Sequence, residues 1–437
     1  MTKVLLLPFF CDGYDEEVMN MQVAVYRDAL ESMSFQVTTA EPIKTYAGAK
    51  EASETYHPFA FDLVVLLAAT WSEPRLASVA SRVFWGRPMV VVGINEFRLN
   101  DKRTEFSSAP ASAALIGSFR EMGVPCEFLV GDIEDSDNKA KLYKISRVAE
   151  CLSALRNTKI GFFGHNFNGI TEAGFDLSVL RRKLGTEVYS FDGSQLIRTL
   201  ENLSEEDPLY IDAKEKVEAK ISGLPESYKD KVIRMTAALK SYANEYDLQA
   251  IALRCHTEFS VEYGLSLCLP LSILGNELTV ACEADMPVLL TEIILHNLSQ
   301  GKTATYADLR TFTKEGMDVG ACGMCPTDLT GDLAQASGEN GYFANASDMN
   351  MGKVTLARLL KKPDGKLELH NATGYATPIE ERLQEFGCPE YPMAHIALDS
   401  DMEAFMEKTG ANHYAIVYGD VTDELKLFCK YSGVTPV

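Results

Sequence analysis

The chain opens with short, continuous apolar runs that alternate with amphipathic segments, and this alternation constrains the fold most. KVLLLPFF, DLVVLLAA and PMVVVGIN begin at residues 3, 62 and 88 and are apolar at almost every position. Strands that are buried on both faces have this pattern. The segments between them repeat their apolar residues at helical spacing. We therefore predict a parallel sheet covered by helices, an α/β domain at residues 1–155.

Two more regions follow. TKIGFFG, TEVYSFD and LQAIALRC are strand-like and again alternate with helical segments, which predicts a second doubly wound α/β domain at residues 156–315. KVTLARLLKKPDGKLELHNATGY then has the pattern of two strands around a Pro-Asp-Gly turn. MAHIAL and HYAIVYGD add further strands. The expected fold class is α/β: two doubly wound α/β domains followed by a β-rich C-terminal domain at residues 316–437.

Charge and cysteine usage exclude several kinds of partner. The formal net charge of −21 argues against nucleic acid and against an anionic membrane surface, since both attract basic proteins. No run approaches the ~20 apolar residues that a membrane-spanning helix needs. The ten cysteines are scattered, several of them within apolar runs, unlike a disulfide scaffold. These features favour a cytoplasmic protein with buried thiols.

The segment NELTVACEADMPVLLTEIILHNLSQGKTATYADLRTF, residues 276–312, carries the most chemical information. LTVAC is predicted to be a strand that ends at Glu283, and Asp285 and Pro287 are typical of a helix start. TATYA is predicted to be a second strand that ends at Asp308. If the two strands are parallel neighbours in one βαβ unit, both carboxylates project from the same sheet edge. Two such carboxylates favour a shared divalent cation.

Each of these residues also has a simpler interpretation. Asp285 fits a helix N-cap with no further role. Glu283 and Asp308 each fit a surface position after a strand. Spacing alone therefore leaves a shared metal site and two unrelated surface carboxylates both open.

The run ACEADMPVLLTEIILHNLSQGKTATYADLRTF resembles the L-fucose isomerase family, and the C-terminal GANHYAIVYGDVTDELKLFCKYSGV resembles it as well. The resemblance implies a metal-dependent aldose–ketose isomerase that acts by proton transfer through a cis-enediolate of the open-chain sugar. It assigns Glu283, Asp308 and His413 as ligands of Mn²⁺, or of Co²⁺ or Mg²⁺. It further implies that Glu283 is the base and Asp308 its partner. The more distantly related arabinose isomerases share this domain order.

The chain departs from the family pattern near the expected sugar site. Relatives often carry a C-W-P-E-like run where this chain has Cys255, His256, Thr257 and Glu258. We expect Glu258 and His256 to contact the substrate, although a helix cap and a structural hydrogen bond fit them equally. Cys322 and Cys325 form a single C-x-x-C, which favours a thiol-rich loop beside the active site over a zinc site.

Trp71 and Arg75 follow the strand DLVVLLAA in the first domain. The resembled family implies that this domain helps to close the sugar site of a neighbouring subunit in a homo-oligomer, often a hexamer. Both residues are therefore candidates for substrate binding, and a surface loop is the alternative. A rival for the whole chain is a non-catalytic sugar-binding protein of stacked α/β domains. A dehydrogenase is disfavoured because the dinucleotide fingerprint is missing. The sequence does not identify the sugar.

Overall fold

The computed structural model describes residues 1–166, 169–255, 258–331, 334–337, 343–381, 383 and 391–437. The chain divides into two compact units. The first comprises Met1–Ser153 and Asp423–Ser432, and the second comprises Ala154–Thr422 and Gly433–Val437. No helix in the described ranges is long and apolar enough to cross a membrane.

The first unit is a five-stranded parallel sheet covered by helices on both faces. Its strands run in the order β2-β1-β3-β4-β7, and β5 and β6 form a separate small hairpin. The strands are β1 (Lys3–Phe9), β2 (Gln36–Thr39), β3 (Leu63–Ala68), β4 (Met89–Gly93), β5 (Phe97–Leu99), β6 (Lys102–Thr104) and β7 (Glu127–Phe128). The helices are α1 (Glu16–Ser32), α2 (Tyr46–Thr55), α3 (Pro74–Ser81), α4 (Ser108–Glu121) and α5 (Ser136–Asn157).

The continuous apolar runs explain this layered arrangement. Every residue of β3 is buried, so alternate side chains pack on opposite faces of the sheet. One face packs against α1 and α5, and the other against α2, α3 and α4. The predicted doubly wound layout is confirmed for this part of the chain.

The second unit begins with a four-stranded parallel sheet in the order β12-β11-β8-β9. Its strands are β8 (Lys159–Phe163), β9 (Glu187–Phe191), β11 (Ala250–Leu253) and β12 (Thr279–Ala281), and β10 (Ile221–Ser222) lies in a separate small sheet. The helices are α6 (Leu177–Lys183), α7 (Gly193–Asn202), α8 (Pro208–Lys220), α9 (Glu226–Tyr246), α10 (Cys268–Leu274) and α11 (Met286–Leu298).

A closed antiparallel barrel completes the second unit. Six strands follow one another in the order β17-β20-β13-β14-β19-β18, and pairing of β17 with β18 closes the ring. Closure leaves these six strands without a free edge. The strands are β13 (Ala304–Phe312), β14 (Gly316–Gly320), β15 (Ala334–Ser337), β16 (Ala344–Asn345), β17 (Gly352–Lys361), β18 (Leu367–Thr377), β19 (Met393–Leu398), β20 (His413–Tyr418) and β21 (Thr435–Pro436), with helix α12 (Met402–Lys408). Of these, β15 and β16 join β10, and β21 adds to β18. Helix α13 (Thr422–Ser432) falls, apart from its first residue, in the segment that belongs to the first unit.

The predicted hairpin is confirmed, because β17 and β18 pair antiparallel from Gly352 opposite Ala376 to Lys361 opposite Leu367. The predicted βαβ unit is wrong. β12 pairs with β11 in the parallel sheet, whereas β13 pairs with β14 and β20 in the barrel. Asp308 therefore lies within a barrel strand and not at the carboxyl end of a parallel one. A division of the second unit into domains at residues 156–315 and 316–437 stays a prediction.

Candidate active site

Glu283 lies where the parallel sheet gives way to helix α11. It follows Cys282, the first residue after β12, and its φ of 56° is in the left-handed region, as is the φ of 55° at Ala284. Non-glycine residues adopt this conformation at a cost of about 1–3 kcal/mol each, and such strain is concentrated at functional sites. Asp285 then caps α11 by accepting a hydrogen bond from Val288 N. The predicted helix start at Asp285 is confirmed.

Asp308 and His413 face one another across the barrel strands β13 and β20, where they form a register pair. His413 Nε2 lies 2.9 Å from Asp308 Oδ1 and 3.6 Å from Glu283 Oε2. The three side chains are 1–14% exposed. The structure thus brings together the three residues that the family resemblance assigns as metal ligands, although they come from two different sheets.

Asp285 does more than cap the helix. Its Oδ2 accepts hydrogen bonds from His413 Nδ1 at 2.9 Å and from Arg358 Nη1 at 3.0 Å. Arg358 Nη1 also donates to the His413 carbonyl at 2.9 Å. The Asp285 and Arg358 side chains are 0% and 1% exposed, so the pair is held away from water. This network fixes the imidazole ring so that Nε2 faces Glu283 and Asp308.

The charge state of His413 follows from its neighbours. Burial lowers the pKa of His413, but hydrogen bonds from the ring to Asp285 and Asp308 outweigh this and raise the pKa to about 9. Without a bound cation, the imidazolium thus supplies positive charge among three carboxylates at neutral pH, and a cation bound at Nε2 would replace the proton there. Tyr306 adds a further contact, because its hydroxyl oxygen lies 2.6 Å from His413 Nε2.

The donor chemistry of this site suits a divalent cation. Within the described ranges, however, no group of three or more His, Cys, Asp or Glu side chains is arranged so that it could hold a metal ion. Asp308 and Glu283 lie 2.9 and 3.6 Å from His413 Nε2, so the three candidate ligands are neighbours. Two carboxylates and an imidazole suit Mn²⁺, Co²⁺ or Mg²⁺. The carboxylate behind the histidine completes an arrangement common in metalloenzymes.

The other predicted substrate contacts are placed differently. Glu258 starts a π-helical turn, Glu258–Tyr263, and forms an ion pair with Arg254, which follows β11. Arg254 Nη1 lies 2.6 Å from Nε2 of His165, which follows β8. Glu258 therefore lies at the carboxyl edge of the same sheet that presents Glu283. His256 lies outside the described residues.

Trp71 and Arg75 belong to the first unit. Trp71 follows β3 and is 40% exposed, and Arg75 forms an exposed ion pair with Glu73. Their role in substrate binding stays a prediction.

Sequence reasoning missed three contributors to the site. Asp285 was interpreted only as a helix cap, and Tyr306 and Arg358 were not considered. Tyr306 had a detectable signal, since it stands two residues before Asp308 on one strand and so shares its face. Arg358 is a cation inside the apolar run VTLARLL, which is a recognisable sign of a buried ion pair.

Comparison with known proteins finds similarity to sugar isomerases. Residues 321–436 match the family described as L-fucose isomerase, C-terminal domain. The sulfoquinovose isomerase of Alkalicoccus urumqiensis is 25% identical over 355 residues, which cover 78% of this chain and 77% of that protein. The sulfoquinovose isomerase of Priestia megaterium is 23% identical over 435 residues, which cover 97% and 96%. The C-terminal part of the chain is therefore similar to the L-fucose isomerase family, and most of the chain is similar to the sulfoquinovose isomerases. The expected family is confirmed, and with it an aldose–ketose isomerase.

Solved structures add nothing to this assignment. A periplasmic solute-binding protein of an ABC transporter from Actinobacillus succinogenes, with bound D-allose, is 8% identical and covers 69% of this chain and 92% of its own. Its TM-score of 0.19 is too low to support a sugar-binding protein as the alternative. For this fucose isomerase-like protein, the metal, the homo-oligomer or hexamer and the cytoplasmic location stay predictions.

Proposed function

We propose that this protein is a divalent-metal-dependent isomerase that converts an open-chain aldose to its ketose. The observation that supports the proposal most directly is the convergence of Glu283 and Asp308 on His413 Nε2, at 3.6 and 2.9 Å. Aldose–ketose isomerisation moves one proton between C2 and C1 and another between O1 and O2. Two carboxylates beside a cation site supply what these transfers need.

Glu283 and Asp308 divide the two proton transfers in this proposal. Glu283, at the strained exit of β12, takes the proton from C2 and returns it to C1. Asp308 moves the proton between O1 and O2, so that the sugar passes through a cis-enediol. Each positioned acid or base of this kind typically contributes 10²–10⁴-fold to the rate.

Glu283, Asp308 and His413 would hold the ion, with Mn²⁺ as the first candidate. When bound, such an ion polarises the carbonyl oxygen and stabilises developing negative charge on the sugar oxygens. Asp285 keeps His413 Nδ1 occupied, at 2.9 Å, and so leaves Nε2 to face the two carboxylates. Tyr306 limits the rotation of the imidazole from the other side.

The relatives' names suggest the first sugar to test. Both compared enzymes are named sulfoquinovose isomerases, so sulfoquinovose heads the panel, followed by L-fucose, D-arabinose and other aldoses. The panel is needed because identities of 23–25% leave room for a different sugar.

The test is ketose formation by protein that has been stripped with a chelator and then given Mn²⁺, Co²⁺ or Mg²⁺. We expect turnover of at least one aldose, loss of turnover after chelation and recovery with one of the ions. Glu283→Gln should lower kcat by at least 10³-fold. The variant should nevertheless unfold at the same denaturant concentration as the wild-type protein. Glu315→Gln is the matched control, because Glu315 is an exposed carboxylate in the turn between β13 and β14. Near-normal turnover by Glu283→Gln, or turnover unaffected by chelation, contradicts the proposal.

A further inference from the structure

The side chain of Asn166 ties the turn after β12 to the loop after β8. Asn166 Nδ2 donates one hydrogen bond to the Ala284 carbonyl oxygen at 2.9 Å and another to the Ala173 carbonyl oxygen at 3.0 Å. Ala284 immediately follows Glu283, and Ala173 ends a short 3₁₀ turn, Thr171–Ala173. A primary amide carries two N–H donors on one nitrogen. Both donors of this partly buried side chain are therefore used on backbone carbonyl groups.

The hydrogen bond to Ala284 spans the carboxyl edge of the parallel sheet. The strands of this sheet run in the order β12-β11-β8-β9. Asn166 follows β8, Ala284 follows β12, and β11 lies between those two strands. The contact is therefore a tertiary one, which neither local turn requires by itself.

The turn that Asn166 contacts is unfavourable on its own. Glu283 and Ala284 have φ values of 56° and 55° in succession. Residues with a β-carbon pay an energetic cost in this left-handed conformation and keep it only where the surrounding structure imposes it. Asp285 N donates to the Cys282 carbonyl at 3.1 Å and closes the turn locally. The bond from Asn166 adds an external restraint at its second left-handed residue.

A ring of hydrogen bonds encloses this turn. On the side of helix α11, Asp285 Oδ2 accepts from Arg358 Nη1 at 3.0 Å. Arg358 Nη2 donates in turn to the Glu172 carbonyl at 3.3 Å. The next residue, Ala173, is the second acceptor of Asn166, which completes the ring. Removal of the Asn166 side chain opens this ring without altering the carboxylate that contacts the histidine.

We propose that Asn166 is a positioning residue for Glu283. It fixes the left-handed turn that aims the Glu283 carboxylate at the proposed catalytic centre, where Oε2 lies 3.6 Å from His413 Nε2. The effect on turnover rests on the proposed function, whereas the effect on the turn does not. Without the two donors, the turn relaxes toward a conformation that residues with a β-carbon prefer. The base is then misplaced, and a displacement of about 1 Å can lower the rate about 10²-fold.

The experiment compares Asn166→Ala and Asn166→Asp with the wild-type protein on the aldose that the wild type converts fastest. Alanine removes both donors, and aspartate keeps the size but places a carboxylate against two carbonyl oxygens. In both variants kcat should fall about 10–100-fold with a much smaller change in KM, because the base is misplaced while the sugar still binds. A crystal structure of Asn166→Ala should show Glu283 outside the left-handed region, with its carboxylate farther from His413 Nε2.

Asn138→Ala is the matched control. Asn138 Nδ2 also donates to two backbone carbonyl oxygens, those of Val130 and Asp132, at 2.9 and 2.7 Å. Asn138 belongs to the first unit, however, and Glu283 to the second. Its substitution should lower the urea midpoint, as that of Asn166 does, and should leave kcat near the wild-type value. This pair separates a positioning role from a general loss of stability.

The proposal is overturned if the kcat of Asn166→Ala falls no more than that of Asn138→Ala. It is also overturned if Glu283 keeps its φ and its distance to His413 in the crystal structure of Asn166→Ala. If no aldose is converted but the turn relaxes in that structure, the positioning role stands and the proposed function fails. If Glu283→Gln is inactive while both Asn166 variants match the wild type, the proposed function stands and the positioning role fails.

Discussion

The substitution Asp285→Asn tests whether a buried carboxylate behind His413 organises the site. Asp285 is fully buried and accepts hydrogen bonds from Val288 N, His413 Nδ1 and Arg358 Nη1, at 3.0, 2.9 and 3.0 Å. Asparagine is a good helix cap, so the bond from Val288 can persist. The negative charge is lost, however, and the N–H₂ group that replaces Oδ2 must face both the imidazole and the guanidinium.

The expected magnitudes follow from this geometry. Arg358 is 1% exposed, and removal of one partner of a buried ion pair typically costs about 3–5 kcal/mol of folding free energy. Loss of the carboxylate that orients a metal-ligating histidine typically weakens metal binding by about 10–100-fold. We therefore expect both a lower unfolding free energy and a weaker affinity for Mn²⁺.

Urea unfolding of metal-free protein measures the first effect, and calorimetric titration with Mn²⁺ measures the second. Asp176→Asn is the matched control: Asp176 is an exposed N-cap that accepts only from Ser178 N and Val179 N, so both quantities should stay near wild type. Adding Arg358→Met to Asp285→Asn removes the unpaired cation and should recover part of the lost stability. If Asp285→Asn matches Asp176→Asn in stability and in Mn²⁺ affinity, Asp285 is a helix cap alone and the positioning argument is refuted.

Three further predictions concern stability. Within the described ranges, neither carboxyl oxygen of the fully buried Glu292 has a hydrogen-bond partner. Glu292→Leu should therefore raise the free energy of unfolding in urea by about 1–3 kcal/mol. A lower free energy of unfolding in this variant would contradict the prediction. Burial and, to a smaller extent, Lys408 lower the pKa of His370 to about 4. Because a histidine in the unfolded chain binds its proton near pH 6.5, the unfolded state takes up this proton first as the pH falls. We therefore expect the free energy of unfolding to fall by about 2 kcal/mol between pH 7.5 and pH 5 because of His370. Urea unfolding at both pH values should show a smaller decrease for His370→Phe. A methyl group at Gly316 would overlap the Ile396 carbonyl oxygen, so Gly316→Ala should lower the melting temperature by several degrees. Gly365→Ser is the control. No atom is close to a Cβ at that position, so this variant should show only the smaller decrease that a positive φ causes.

Local patterns predicted most of the first unit and much of the second. Runs such as DLVVLLAA specify buried strands because apolar residues at every position leave no face for water. The turn Lys362–Lys366 predicted the β17–β18 hairpin because Pro-Asp-Gly favours a tight reversal. These signals lie within a few residues of the structure they describe.

Partnership between distant strands could not be predicted in this way. β12, α11 and β13 have the lengths of a βαβ unit, and their spacing contains nothing that assigns β13 to a barrel. One of the two antiparallel partners of β13 is β20, which lies far later in the chain, as shown by the register of Asp308 with His413. The family resemblance brought Glu283, Asp308 and His413 into one hypothesis, whereas the proposed βαβ geometry was the wrong reason for it.

Helix α11 explains why residues from two sheets nevertheless meet. It is apolar around its whole circumference, with eleven of thirteen residues buried, as expected for a helix enclosed on all sides. It packs against β11 and β12 of the parallel sheet and against β13, β17 and β20 of the barrel. Its amino end begins at Asp285, beside Glu283 from the sheet and close to His413 from the barrel. The partial positive charge of that helix end favours carboxylates there, so the position at which the shared core helix starts is also the position at which a cluster of carboxylates costs least.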